Sequence, residues 1–145
     1  MAFRASIKIR FGDEDHAGIV YYPRYFDFFH QAFEDLFESQ GVPYRVCLDE
    51  DRIGWPAVHA EADFERPLRF GDVLDVDVSV ERFGRSSVSF RYEGRRRADG
   101  ERVVVGRTIV ACVDLRTFRP MSVPTRYRDL FVAACGPAAV ASDSS

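Results

Sequence analysis

The sequence predicts an α+β protein in which a five-stranded antiparallel sheet wraps around one long central helix. Two observations carry this prediction. One apolar stripe with helical spacing runs through residues 23–40, and five other segments alternate apolar and polar side chains as half-buried strands do. The length of 145 residues suits a single domain, which we place at residues 1–132, and residues 133–145, small and polar, are predicted to form a disordered tail.

The first strand and the helix are predicted from different periodicities in neighbouring stretches. Residues 3–11 alternate apolar with polar side chains, which favours a strand. The helix is placed from Pro23 to Gln40, because its apolar side chains share one face. These are Phe26, Phe29, Phe33, Leu36 and Phe37. Pro23 suits the first helical turn, where its missing N–H costs nothing, and Gly41 suits the end of the helix. Residues 44–56 show no clean period and are predicted to be a solvated connection.

Four further strands follow the helix. The alternating segments are residues 57–66, 74–81, 87–93 and 103–113, and we expect them to pair in hairpin succession. The last of them is nearly apolar on both faces, as a central strand is. Residues 125–131 are predicted to form one short helix. Only one long helix is available to cover the sheet, so the sheet must curve strongly around it. Its open edges favour pairing with a second copy, as a homodimer or homotetramer.

Composition narrows the classes of function. A formal charge of −3 argues against a nucleic-acid partner, because phosphate contacts need a basic surface. Arg4, Lys8 and Arg10 interrupt any apolar run near the start, so we predict neither a signal peptide nor contact with a membrane. Three widely spaced cysteines predict free thiols and hence a cytoplasmic location. The three histidines lack the spacing of metal ligands, so no metal is expected.

The junction between residues 12–18 and the helix is where we expect the chemistry. The loop is acidic and contains glycine, and it leads directly into the helix N-terminus. A helix N-terminus presents unpaired N–H groups and a partial positive charge in one place. Thirteen phenylalanines in a chain of this length predict a core or pocket rich in aromatic rings.

The residues of this junction carry a resemblance to a known family. The run GDEDHAGIVYYPRYF at residues 12–26 is followed by the apolar helix, by Gly54-Trp55-Pro56 and by four alternating strands. This arrangement resembles the hotdog-fold acyl-CoA thioesterases, and within them the 4-hydroxybenzoyl-CoA thioesterase-like family. The resemblance covers roughly Ile7 to Pro120. It implies a hotdog fold and hydrolysis of an acyl-CoA to a free acid and CoA, without a cofactor.

The resemblance also implies roles for three residues of the loop and helix start. Asp15 occupies the position of the catalytic carboxylate, which acts as nucleophile or as general base for water. The backbone N–H of Tyr22 would polarise the thioester oxygen, as an oxyanion donor does. Gly18 would let the loop turn tightly and keep side-chain bulk away from the thioester. The acyl group implied is aromatic or of medium chain length.

A second set of residues is expected to bind the substrate. Tyr25 is expected to contact the substrate, and His16 either contacts the substrate or shapes the loop. His30 stands where the family has an acid facing a substrate hydroxyl, and its place on the apolar side suits either a core histidine or a pocket wall. Trp55 would either close the acyl pocket or anchor a dimer interface. The CoA end is expected at the hairpin after the third strand, by Arg82, Arg85 and Ser86, whereas residues 95–97 are predicted to be a solvated strand end.

Two other functions stay open on the sequence. The first is a non-catalytic dimer that binds acyl-CoA in the same cavity and does not hydrolyse it. The second is a thioesterase acting on acyl carrier protein, which would need a basic docking surface. An acidic chain whose single lysine is Lys8 supports that surface poorly.

Overall fold

The computed structural model describes residues 2–140, which form a sheet, a long helix and shorter elements around them. The elements in chain order are β1 (Phe3–Lys8), a 3₁₀ turn (Phe11–Asp13), α1 (Arg24–Ser39), α2 (Tyr44–Asp49), β2 (Ile53–Gly54), β3 (Ala57–Phe64), β4 (Val73–Phe83), β5 (Ser87–Arg96), β6 (Arg102–Ala111), β7 (Val113–Asp114), β8 (Arg119–Pro120) and α3 (Thr125–Cys135). The predicted α+β class and its five-stranded antiparallel sheet are confirmed.

The order of the strands differs from the predicted hairpin succession. The large sheet has the order β1-β4-β5-β6-β3, so β3 pairs with β6 and not with β4. Short turns join β4 to β5 and β5 to β6, and β3 occupies the free edge of β6. The apolar segment β6 is therefore a central strand, as its two apolar faces predicted. The small strands β2, β7 and β8 form a second sheet.

Helix α1 packs its apolar face on the large sheet through aromatic contacts. The buried side chains of the helix are Tyr25, Phe28, Phe29, Ala32, Phe33, Leu36 and Phe37, whereas Phe26 is only half-buried. The ring of Phe29 stacks on Tyr92 of β5 with 4.7 Å between centroids. It also lies over Gly106 of β6, where an added Cβ would stand 2.3 Å from the ring. Glycine at this position therefore lets the helix approach the sheet.

The connection and the C-terminal region contain more structure than predicted. Residues 44–49 form α2, whose Cys47 is fully buried, so packing creates a helix where the sequence shows no period. Helix α3 continues past residue 131 to Cys135, which is buried in the core. Beyond it, the N–H groups of Ala139 and Val140 donate to backbone oxygens of β4. The tail predicted from residue 133 is thus ordered through Val140, and its remainder, 141–145, lies outside the described residues.

The cysteines and the helix lengths bear on two further predictions. Cys47, Cys112 and Cys135 are all free and buried, as expected of unpaired thiols. Burial raises the pKa of the Cys112 thiol to about 12 and that of Cys135 to about 11, so both are protonated at neutral pH. Within residues 2–140, no helix is both long and apolar enough to cross a membrane.

Candidate active site

The loop before α1 holds Asp15 in a tight turn. The Asp15 N–H donates to the oxygen of Ile19 at 3.0 Å, and the Gly18 N–H donates to the oxygen of Asp15 at 3.0 Å. The Asp15 carboxylate accepts the N–H of Ala17 at 2.8 Å, and Gly18 adopts the left-handed φ of 81° that closes the turn. The spacing of aspartate and glycine therefore builds the turn locally. It leaves the Asp15 side chain exposed.

Two neighbouring acids fasten this loop to the rest of the protein. The Asp13 carboxylate accepts the N–H of Arg10 at 2.8 Å, and the Glu14 carboxylate accepts the N–H of Phe70 at 2.9 Å. The N–H of Val20 donates to the oxygen of Leu68, also at 2.9 Å. The loop that carries Asp15 is therefore joined to the connection between β3 and β4 at two points.

The start of α1 leaves one backbone donor unused beside this loop. The N–H groups of Arg24, Tyr25 and Phe26 donate to the carbonyl oxygens of the residues three positions before them, and Pro23 has no N–H. Nothing among residues 2–140 accepts the N–H of Tyr22. The Tyr22 N–H is therefore unpaired within the described residues, and it lies next to the positive end of the helix dipole.

An apolar groove runs past the start of the helix. We call it the helix-end groove; its volume is about 420 Å³, and it is lined by Tyr22, Tyr25 and Phe64 together with Ile19 and Pro67. The Tyr25 ring contacts Phe64 with 5.2 Å between centroids. Burial raises the pKa of the Tyr25 hydroxyl to about 12, so it stays protonated and neutral at physiological pH.

A second and more enclosed cavity lies between α1 and the sheet. We call it the aromatic pocket; its volume is about 310 Å³, and its walls include Phe26, Phe29, Phe33, Tyr92, His30 and Trp55. Tyr92 and Thr108 also line this pocket, and Thr108 Oγ1 donates to the hydroxyl of Tyr92 at 3.3 Å. Burial raises the pKa of Tyr92, which keeps that hydroxyl protonated.

His30 and Trp55 both face the aromatic pocket. The His30 side chain is 53% exposed, with Nε2 2.9 Å from Glu34 Oε2, so His30 lines the cavity and is not a core histidine. Trp55 is buried, and its Nε1 donates to the sulfur of Cys47 at 3.2 Å. The ring of Trp55 packs against Phe131 of α3. The indole is therefore held rigidly at the pocket wall.

The remaining predicted residues lie apart from these cavities. His16 is exposed next to Asp15. Arg85 and Ser86 lie in the β4–β5 hairpin, and Arg82 lies near the end of β4. Arg85 donates from Nε to the hydroxyl of Ser122 at 3.3 Å. Ser87, at the hairpin end of β5, is seven residues from Gly94. Gly94 pairs with Val104 of β6, and Val104 pairs with Phe64 of the helix-end groove. Seven residues of strand span about 23 Å, so one copy of the chain does not bring the hairpin to Tyr22.

Sequence reasoning missed the polar part of the aromatic pocket. The alternation of residues 87–93 puts Tyr92 on the apolar face of its strand, and this pattern predicts only a core position for it. Thr108 stood in a segment interpreted as apolar on both faces. Their hydroxyls meet only because β5 pairs with β6, which puts Phe90 opposite Thr108 and Tyr92 opposite Gly106. No pattern in the local sequence predicts that contact.

The fold and the site define a class of protein. A five-stranded sheet around one long helix, with a carboxylate turn at the helix start, is the arrangement of hotdog-fold thioesterases that the sequence resembled. A sequence profile of the Thioesterase-like superfamily matches residues 9–131. The chain therefore belongs to the Thioesterase-like superfamily, and it is a thioester hydrolase.

Individual relatives agree with this assignment. A 1,4-dihydroxy-2-naphthoyl-CoA hydrolase of Synechococcus elongatus is 33% identical over 122 residues, which cover 83% of this chain and 88% of the relative. Among solved structures, a gentisyl-coenzyme A thioesterase superposes with a TM-score of 0.79 at 26% identity, over 88% of this chain and 98% of the other. A 1,4-dihydroxy-2-naphthoyl-CoA thioesterase from Synechocystis has a TM-score of 0.83 at 21% identity, over 90% and 96%, and shares the fold.

Proposed function

We propose that the protein hydrolyses an acyl-CoA whose acyl group is a hydroxylated aromatic ring system. The observation that carries the proposal is the aromatic pocket, whose lining combines phenylalanine rings with the hydroxyl-bearing side chains of Tyr92 and Thr108. A dry cavity of about 150 Å³ can hold benzene, so about 310 Å³ suits one or two fused rings. The two hydroxyls, with His30 at the wall, would bind substrate hydroxyl groups. The names of the relatives, dihydroxynaphthoyl-CoA and gentisyl-CoA enzymes, support the same class of substrate.

The proposed reaction uses the loop and the helix start. Asp15 attacks the thioester carbonyl carbon, or removes a proton from the water that attacks it, and Gly18 keeps the turn free of bulk. The Tyr22 N–H donates to the carbonyl oxygen as it becomes negative, a contribution of about 3–4 kcal/mol for one well-placed donor. The C–S bond then breaks, and the sulfur takes up a proton to give CoA. In the nucleophilic route water next cleaves the anhydride between Asp15 and the acyl group, which restores the carboxylate and releases the acid; in the general-base route the attacking water itself supplies the second oxygen of the acid.

The proposed site is completed by a second copy of the chain. Nearly every residue of β3 is exposed, including Val58 at 65% and Phe64 at 46%, and the outer edge of this strand pairs with nothing among residues 2–140. Two copies of β3 paired antiparallel would place the Ala57 end of one against the Phe64 end of the other. The aromatic pocket contains Ala57, and the helix-end groove contains Phe64. The pairing would therefore join the pocket of one copy to the Tyr22 N–H of the other.

The other predicted substrate contacts follow from this dimer. Tyr25 would form the wall of the thioester channel, and Trp55 the closed end of the acyl site. His16, exposed beside Asp15, is proposed to contact the substrate near the thioester. The hairpin residues Arg82, Arg85 and Ser86 lie at the opposite end of the sheet from Tyr22 of the same copy. They would therefore contact CoA only when its thioester lies at Tyr22 of the other copy.

The test is release of free thiol from a panel of thioesters by wild type and matched variants. The panel contains 1,4-dihydroxy-2-naphthoyl-CoA, gentisyl-CoA, benzoyl-CoA, octanoyl-CoA and octanoyl acyl carrier protein. Asp15→Asn keeps an oxygen to accept the Ala17 N–H, so it removes the charge while preserving the turn. Asp27→Asn is the control, since Asp27 is exposed on α1 and, among the described residues, its side chain bonds only Gln31.

We expect the hydroxylated aromatic thioesters to be hydrolysed fastest, and Asp15→Asn to lower kcat by about a hundredfold or more. Asp27→Asn should behave as wild type. Equal rates for wild type and Asp15→Asn would remove Asp15 from the mechanism. Faster turnover of octanoyl-CoA, or of the carrier-protein thioester, would contradict the proposed substrate. Tight binding of acyl-CoA without turnover would favour the non-catalytic dimer.

A further inference from the structure

An open groove rich in arginine lies beside the helix-end groove. We call it the arginine groove; its volume is about 550 Å³, and it is lined by Arg66, Pro67, Arg69, Asp72, Arg96 and Ala98. Arg66 and Pro67 line the helix-end groove as well, so the two grooves lie side by side. Three guanidinium groups face one carboxylate here. The segment 95–97, predicted to be a solvated strand end, thus contributes to a concave charged surface.

Two of the three arginines are held in place by the protein. Arg96 donates from Nη1 to the carbonyl oxygen of Pro67 at 2.8 Å and from Nη2 to Asp99 at 2.9 Å. Arg66 donates from Nε to Glu101 at 3.2 Å. A guanidinium has five N–H donors, so both side chains keep donors beyond those these bonds use. Fixed arginines with remaining donors are well suited to bind a phosphate group.

The third arginine has no side-chain partner in the part of the chain that the structure describes. Within residues 2–140 the Arg69 side chain makes no hydrogen bond or ion pair. Asp72 is the acid of the groove, and its carboxylate is engaged by the backbone N–H of Arg69 at 2.9 Å. Gly71, with φ of 94°, closes this turn. The charge of Arg69 is therefore not neutralised by a direct contact, and its fork is available to a ligand.

We propose that the arginine groove binds phosphate groups at the nucleotide end of CoA, an inference that rests on the proposed function. The groove leads from the Tyr22 end of the same copy, where the thioester would lie, and it is exposed enough to receive a long anionic ligand. CoA carries a diphosphate and a separate 3′-phosphate. The arginine groove can therefore bind one of these two phosphate groups through Arg66, Arg69 and Arg96. The hairpin of the second copy can still contact the other phosphate group.

The test measures binding and does not depend on turnover. Calorimetric titrations with CoA, 3′-dephospho-CoA and pantetheine are carried out on wild type, Arg69→Ala, Arg69→Lys, Arg85→Ala and Arg116→Ala. Arg116 is an exposed arginine outside the groove, so its variant loses the same charge at another place. We expect Arg69→Ala to weaken CoA binding about tenfold and to narrow the preference for CoA over pantetheine. Arg116→Ala should match wild type, and Arg69→Lys should recover part of the affinity.

Several results would overturn the inference. CoA affinity equal in wild type and Arg69→Ala would do so, as would equal binding of CoA and pantetheine by wild type. Loss of CoA binding in Arg85→Ala alone would assign the phosphates to the hairpin. Inorganic phosphate that competes as well as CoA itself would indicate a general phosphate site. CoA binding that depends on Arg69, in a protein that hydrolyses no thioester, would support the groove and contradict the proposed function. Hydrolysis of thioesters by a protein whose CoA binding does not depend on Arg69 would support the proposed function and contradict the groove.

Discussion

The Glu14 carboxylate accepts a hydrogen bond from the backbone N–H of Phe70 at 2.9 Å, although the two residues are 56 positions apart. Glu14 directly precedes Asp15, and Phe70 lies in the connection between β3 and β4. Glu14 also forms an isolated bridge with Val20, just before the start of α1. One side chain thus fixes the position of the proposed catalytic turn relative to the helix and the arginine groove.

Replacing Glu14 should lower the rate without removing a reacting group. We expect Glu14→Ala to reduce kcat about tenfold, because the loop that positions Asp15 loses an anchor, with a smaller change in KM. Glu14→Gln retains an acceptor for the Phe70 N–H and should recover most of the rate. Glu38→Ala, which removes an exposed acid from α1, is the control. Equal losses for the alanine and glutamine variants would argue that the charge of Glu14, and not its bond, matters.

The packing of Phe29 on Gly106 should be sensitive to one methyl group. An alanine Cβ at position 106 would stand 2.3 Å from the Phe29 ring, so helix and sheet must separate. We expect Gly106→Ala to lower the free energy of unfolding by about 1–3 kcal/mol, as overpacking does, measured by urea denaturation. Gly12→Ala is the matched control, since nothing lies within 4 Å of a Cβ there. Unchanged stability of Gly106→Ala would mean that the helix does not depend on this close approach.

The ion pair of Asp75 predicts a loss of stability in acid. The hydrogen bond from Arg97, aided by one from Ser6, holds the pKa of the buried Asp75 carboxyl below its usual 3.8. A depressed pKa in the folded state stabilises the protein above the unfolded value. That contribution is lost as the pH falls from about 4 through the folded pKa.

Urea denaturation at a series of pH values checks this prediction. Asp75→Asn should flatten the fall in stability below about pH 4 and cost about 1 kcal/mol at pH 7, because the Arg97 side chain is half exposed and water screens it. Asp77→Asn, which breaks the exposed pair with Arg4, should cost less. An acid slope unchanged in Asp75→Asn would assign that slope to other carboxylates.

The exposed edge of β3 predicts the oligomeric state. Val58→Lys would place like charges near one another in two antiparallel β3 strands, so we expect dimers in wild type and monomers in the variant by sedimentation equilibrium. Activity should fall with the dimer, because the proposed site needs the pocket of one copy and the helix start of the other. Val132→Lys introduces the same charge on α3, where Val132 is 37% exposed, and should leave the dimer intact. A fully active monomer would refute the shared site.

The elements predicted well are those whose burial repeats along the chain. Helix α1 and strands β4 and β5 each show a period set by one buried face, and β6 shows an apolar run, so their positions could be inferred locally. Helix α2 could not, because it shows no period and forms around the buried Cys47 and the contacts of Tyr44 with Phe33 and Phe37. The partner of β3 could not either, since alternation predicts a strand but does not identify the strand it pairs with.

The sequence by itself led to the proposed site at Asp15, Gly18 and Tyr22 through the resemblance of their motif to the family, and these residues lie within eight positions in a turn built by local hydrogen bonds. Only the tertiary structure decided what surrounds them. The hydroxyls of Tyr92 and Thr108 meet through strand pairing, and the three guanidiniums of the arginine groove converge from the β3–β4 connection and the end of β5. Such contacts between distant residues depend on how the sheet orders its strands, and that order is a property of the packed chain as a whole.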